Sequence, residues 1–166
     1  MYSSGSGITK DPAQSTQWYR KAAEAGHVDA MFNLGVAYHQ GLGVAKDDMQ
    51  AVQWYQKAAE VGDVDAMLKL GVAYSQGRGI GKDPAQSVQW YRKASELGNA
   101  RAMYMLGLDY LIGDGVPKDD AQAFQWVRKA AQLGDDLAMD YLGKMYEEGL
   151  WVAKDNAQAL EWYQKA

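Results

Sequence analysis

The residues of this chain that could do chemistry are two histidines, a glycine-rich run ending in lysine, and several paired carboxylates. A histidine beside a nucleophile could move a proton near neutral pH. His27 and His39 are not so placed. Neither recurs at the matching position of the other repeats, and no Ser-x-x-Lys or Gly-x-Ser-x-Gly supplies a nucleophile to activate. The run Gly77-Arg-Gly-Ile-Gly81-Lys82 invites a phosphate-cradling reading. A phosphate loop needs a longer spacing before Gly-Lys and a Ser or Thr after it to reach magnesium, and here Asp83 follows. The acidic pairs Asp47-Asp48 and Glu147-Glu148 find no third hard ligand at a recognisable spacing, as a calcium or magnesium site requires. The expectation is a chain with no catalytic residues, no metal and no cofactor.

What must position these residues is a repeat. Asp29-Ala-Met-Phe-Asn-Leu-Gly-Val-Ala-Tyr38 returns as Asp65 to Tyr74, Arg101 to Tyr110 and Leu137 to Tyr146. Each copy is followed by a turn, a Lys-Asp pair and a Trp-bearing segment. Trp18, Trp54, Trp90, Trp126 and Trp162 step by 36 residues (54 − 18 = 36). A fixed period of this size marks a solenoid of two-helix units. The units read as a truncated first repeat at 1–26, whole repeats at 27–62, 63–98 and 99–134, and an incomplete last one at 135–166. Tyr2, Gly5, Gly7 and Ile8 precede Tyr38, Gly41, Gly43 and Val44 by 36, so the opening residues read as the tail of a first-type helix.

Local chemistry sets the boundaries. Asp11, Asp47, Asp83, Asp119 and Asp155 each have a glutamine three residues on, the pattern of a capping box with Asp at the N-cap. Pro12 and Pro84 fall at the first helical position, where a missing donor costs nothing. Gly26, Gly62, Gly98 and Gly134 stop these second-type helices. So tight a turn makes consecutive helices antiparallel. Gly35, Gly71, Gly107 and Gly143 stand inside the first-type helices, where glycine costs about 1 kcal/mol. They predict a close crossing, with a Trp or Tyr ring of the partner helix filling the space. Trp90 is expected to be buried between repeats.

A net charge of −4 gives no general attraction to nucleic acid, and no apolar run reaches the ~18 residues of a membrane span. The first residues lack the basic start and apolar core of a signal peptide. With no cysteine, redox chemistry does not choose a compartment.

The pattern Ala-x-x-x-Leu-Gly-x-x-Tyr, Gly-x-Gly-Val, Lys-Asp, then Ala-x-x-Trp-Tyr-x-Lys-Ala-Ala-Glu-x-Gly resembles the SEL-one-like repeat family, relatives of the tetratricopeptide repeats. The resemblance covers essentially the whole chain. It implies an all-α right-handed superhelical solenoid of antiparallel helix pairs, its concave face lined by first-type helices. It also implies a scaffold or adaptor that binds proteins, in a bacterial cytoplasm or exported from it. Two residues depart from the pattern: Trp151 replaces the second glycine of its turn, and Val127 replaces the Tyr after Trp126.

Helical period then selects a candidate surface. Opposite the core stripe lie Phe32, Val36 and His39 in the first full copy and Leu68 and Val72 in the second. Arg101, Tyr104, Leu108, Leu111 and Ile112 follow in the third, and Asp140, Lys144, Glu147 and Glu148 in the fourth. An apolar stripe with a charged end suits a protein segment, either a peptide or an amphipathic helix. Tyr104 is the expected anchor, and Arg101 is expected to meet a carboxylate of the partner. The alternative is a structural spacer that self-associates end to end through its exposed terminal helices.

Overall fold

The computed structural model describes residues 11–166. Tyr2, Gly5, Gly7 and Ile8, read above as the tail of a helix, lie outside them. Among the described residues there are nine α-helices and no strand. The described residues fall into two compact units, one ending at residue 63 and the other running over 64–166.

The first unit holds α1 (Pro12–Glu24), α2 (Val28–Gln40) and α3 (Asp48–Glu60), each packed on the next. Its core gathers Ala23, Ala30 and Leu34, with Met31, Tyr38 and Trp54 closing over them. The second unit holds α4 (Val64–Gln76), α5 (Pro84–Glu96), α6 (Ala100–Ile112), α7 (Asp120–Gln132), α8 (Asp136–Glu148) and α9 (Asn156–Lys165). Again each helix packs on its successor, and α6 also touches α8. An apolar cluster of this unit gathers around Ala123, Val127, Leu142 and Met145. Helices of 13 residues or fewer are marginal alone in water, so these seams hold the fold.

The starts of α3, α5, α7 and α9 follow one recipe. Asp47, Asp83, Asp119 and Asp155 accept a hydrogen bond from the backbone N–H three residues on. Their own backbone N–H groups donate to the carbonyls of Tyr38, Tyr74, Tyr110 and Tyr146 in the preceding helix. The anticipated capping box is therefore only half used. The donor that the glutamine would have satisfied is already spent on closing the turn. His27 makes no side-chain cap to α2, whereas Asn99 and Asp135 cap α6 and α8.

The helical glycines do mark close crossings. A Cβ on Gly35 would lie 2.6 Å from the Tyr55 ring, and one on Gly71 2.4 Å from the Tyr91 ring. At Gly107 the neighbour is Val127, at 2.9 Å. The occupant is the tyrosine, not the tryptophan. Tyr91 is wholly buried. Trp90 is only half-buried, which corrects the expectation above, with the Lys93 ammonium 4.2 Å from its ring centroid. The same Lys-over-Trp contact recurs at Trp18, Trp54, Trp126 and Trp162. Trp151 takes the left-handed φ (56°) that glycine supplies in the other turns, at a cost of about 1 kcal/mol.

Candidate partner-binding faces

The first-type helices carry the candidate residues, and each unit presents its own set. In the first unit Phe32 and Val36 are half-buried on α2. Phe32 leans on Tyr55 of α3, ring centroids 5.9 Å apart. Val36 lines a cleft of about 310 Å³ between α1 and α2, with Pro12, Thr16, Tyr19 and Leu42. His39 belongs elsewhere. Its Nδ1 lies 2.7 Å from Asp48 Oδ1 at the start of α3, and Lys46 approaches the same carboxylate at 3.8 Å. The ring ties two helices together and has one nitrogen already engaged.

In the second unit Leu68 and Val72 on α4 are half-buried, as are Arg101, Tyr104 and Leu108 on α6. Leu111 is not part of this face. It is 8% exposed and sits in the apolar cluster with Ala123 and Val127. The reason is helical phase: Leu111 stands one turn beyond Gly107 and so turns into the seam with α7. His39 and Glu147 occupy the same repeat position (39 + 108 = 147), and both also reach toward the following helix, Glu147 by accepting from the Tyr163 hydroxyl at 2.7 Å. Ile112 points the other way and is 72% exposed.

Arg101 differs most from its expected role. Its Nε and one terminal nitrogen donate to Asp135 and Asp136 at the start of α8. Two carboxylates already hold the guanidinium, so it braces α6 against α8 and is not a free cation for a partner. Asn99 does a weaker version of the same job, donating to Asp65 at 3.3 Å. Both links span 34 residues, a spacing that the sequence displays but that period counting alone does not single out.

Tyr104 stands beside this brace, edge-on to Tyr141 of α8 with ring centroids 6.2 Å apart. Burial foremost, then Tyr141 and Asp135, raises its phenol above the ordinary tyrosine range, so it stays neutral and can donate. Tyr141 was not singled out from the sequence. Its position carries Asn33, Lys69 and Met105 in the other copies, so no recurrence flagged it. Beyond it α8 exposes Asp140, Lys144, Glu147 and Glu148, with Lys144 pairing Glu148 at 3.8 Å. The surface is an aromatic and aliphatic patch with an acidic border. Among the described residues no group of three His, Asp or Glu is placed to hold a metal. No helix among them is long and apolar enough to cross a membrane.

Comparison with known proteins places this geometry in context. The Sel1 repeat model matches residues 1–27, 28–63, 64–99, 100–135 and 136–166. A Sel1 repeat protein from Oxalobacter formigenes is 42% identical over 96% of this chain and 65% of its own, with a TM-score of 0.91. A protective antigen of uropathogenic Escherichia coli with an SLR fold is 42% identical over 97% of this chain and 34% of its own, with a TM-score of 0.88. An immunity protein from Pseudomonas aeruginosa is 28% identical over 95% of this chain and 58% of its own, with a TM-score of 0.66. This chain thus spans about two thirds or less of each of these three. None of the curated proteins compared with it matches.

Proposed function

The chain belongs to the Sel1 repeat family, an all-α solenoid family of protein-interaction repeats, and from that premise we propose that it binds a protein segment on its first-type helices. The observation that carries this reading is the patch of Tyr104, Leu108 and Tyr141 in the second unit, half-buried and bordered by acidic α8. Aromatic side chains held in place by neighbours make binding hot spots, because little freedom is lost on contact. The partner that fits is an extended peptide or amphipathic helix with an apolar face and a basic end, facing Asp140, Glu147 and Glu148. Leu68, Val72 and Ile112 extend the patch; Phe32 and Val36 offer a second contact on the first unit. Arg101 and His39 serve as braces, and Leu111 as core.

Panning a peptide library against the chain, then titrating a selected peptide, tests the proposal. Tyr104→Ala should weaken binding by about 2 kcal/mol, close to thirtyfold, with an unchanged melt. Equal affinity for the native chain and the variant removes the patch from the site.

A second reading rests on α9. Leu160 is 57% exposed and, with Ala159, Tyr163, Asn156 and Glu147, lines a cleft of about 290 Å³. Of its repeat equivalents, Val88 is buried and Phe124 half-buried, with its ring against Tyr146 of α8. This face favours self-association through α9.

A further inference from the structure

One residue on the buried side of α6 breaks the chemistry of its position. Ala37 and Ala73 occupy that position in the earlier copies and Met145 in the last, and the third copy has Asp109. The side chain is 8% exposed, and its Oδ2 has no hydrogen-bond partner. Tyr91 of α5, close enough to feel the charge of Asp109, is a wholly buried ring packed on Gly71 of α4, and its hydroxyl is also without a partner. The nearby Ser87 hydroxyl donates to the Gly71 carbonyl. Among the described residues, two buried oxygens on successive helices are therefore left without a hydrogen-bond partner.

The flanking elements confirm the shortage. Asp114, on the turn after α6, adds negative charge at Asp109. The bases are directed elsewhere: Arg92 of α5 to the Tyr110 hydroxyl, Lys93 to Trp90, and Arg101 of α6 to Asp135 and Asp136. Lys118 ahead of α7 pairs with Asp120, Lys129 of α7 covers Trp126, Arg128 is exposed, and Lys144 of α8 pairs with Glu148. An ionised carboxylate buried without a partner must find water or take up a proton.

We propose that Asp109 makes the α5–α6 seam a proton-operated joint, closed while the carboxyl is protonated and loosened when it ionises. Neutral, the carboxyl fits where alanine fits in other copies and can donate its proton within the seam. Ionised, it draws water between α5 and α6, and the packing of the two helices weakens. Burial first, then Asp114, pushes the folded carboxyl up to about 7. Burial foremost pushes the Tyr91 phenol up to about 12, with Asp109 adding to it and Ser87 opposing. The unfolded chain keeps Asp near its ordinary value of about 3.9. The folded state therefore holds the proton more tightly. The resulting stabilisation is complete below about pH 4, is lost as pH rises toward about 7, and changes no further above that.

The test compares the native chain with Asp109→Ala, the residue of the other repeats, and Asp109→Asn, which keeps the shape without a titrating proton. Melts and hydrogen exchange, corrected for intrinsic rates, are recorded at pH 5 and pH 8. The native melting temperature should fall by about 5 °C relative to both variants over that range. The native chain alone should lose protection in peptides from α5 and α6 at pH 8. Asp114→Asn should move the native transition to lower pH. Parallel pH curves for the native chain and both variants would overturn the joint. So would a failure of both variants to fold, which would make Asp109 a structural contact independent of its proton.

Discussion

At the scale of single residues, the decisive pair is a helical glycine and the tyrosine that fills its missing side chain. Gly71 admits the Tyr91 ring to a distance that no Cβ would tolerate. The recurrence of the glycine made the crossing legible, and an aromatic occupant followed. Which of two adjacent aromatics turns inward was not legible, because neighbouring helical residues differ by ~100° and both fit a broad apolar arc. The sign that decides it is the lysine three residues after every tryptophan, whose ammonium needs water and so marks the outer ring. Tyr91→Ala should therefore cost about 3–5 kcal/mol, the range of a fully buried aromatic truncation. Trp90→Ala should cost about half as much, because its ring is half in water and its cation contact is worth about 0.5–1 kcal/mol. Thermal melts of the two variants check this. Equal losses would mean that the two rings share the seam.

At the scale of elements, the helix starts were the most readable feature and the braces between helices the least. An Asp before an apolar run is a local signal, and each such Asp caps as its type dictates. The links from Asn99 to Asp65 and from Arg101 to Asp135 depend on one helix meeting the start of another, which periodicity does not report. Arg101, read alone, resembled a free cation awaiting a ligand. Asp135 does two things: it caps α8 through the Ala138 N–H at 2.9 Å and receives Arg101. Asp119 caps α7 alone. Asp119→Ala should cost about 1 kcal/mol, the usual loss of an N-cap. Asp135→Ala should cost about 2 kcal/mol, because it also strands a partly exposed guanidinium. Asp135→Asn keeps the cap but loses the acceptor for Arg101, so it should cost about 1 kcal/mol, the brace alone. Chemical denaturation of the three variants measures it; an Asp135→Ala loss no larger than that of Asp119→Ala would show that the brace is energetically idle.

At the scale of the whole molecule, repetition made the fold class legible, because four copies of one pattern admit few other readings. It could not show which surfaces stay open, since a repeat looks the same in sequence whether or not a neighbour covers it. Helix α9 shows the difference. Its Leu160 and Ala159 repeat the pattern of Val88 and Ser87 in α5, both of which are buried. On α9 the leucine is largely in water and Tyr163 is partly so. An uncovered apolar face of this kind marks a surface for contact with another chain. A second copy that covers this face would bury Leu160 and Tyr163 together, so association should grow with concentration. Light scattering should show a rising mass for the native chain, and Leu160→Glu should hold it monomeric over the same range, since a buried unpaired carboxylate opposes the contact. The substitution lies on an exposed position and should leave the melt within about 0.5 kcal/mol of native. A native chain that stays monomeric at high concentration would withdraw the second reading, and association undiminished in Leu160→Glu would move the contact away from α9.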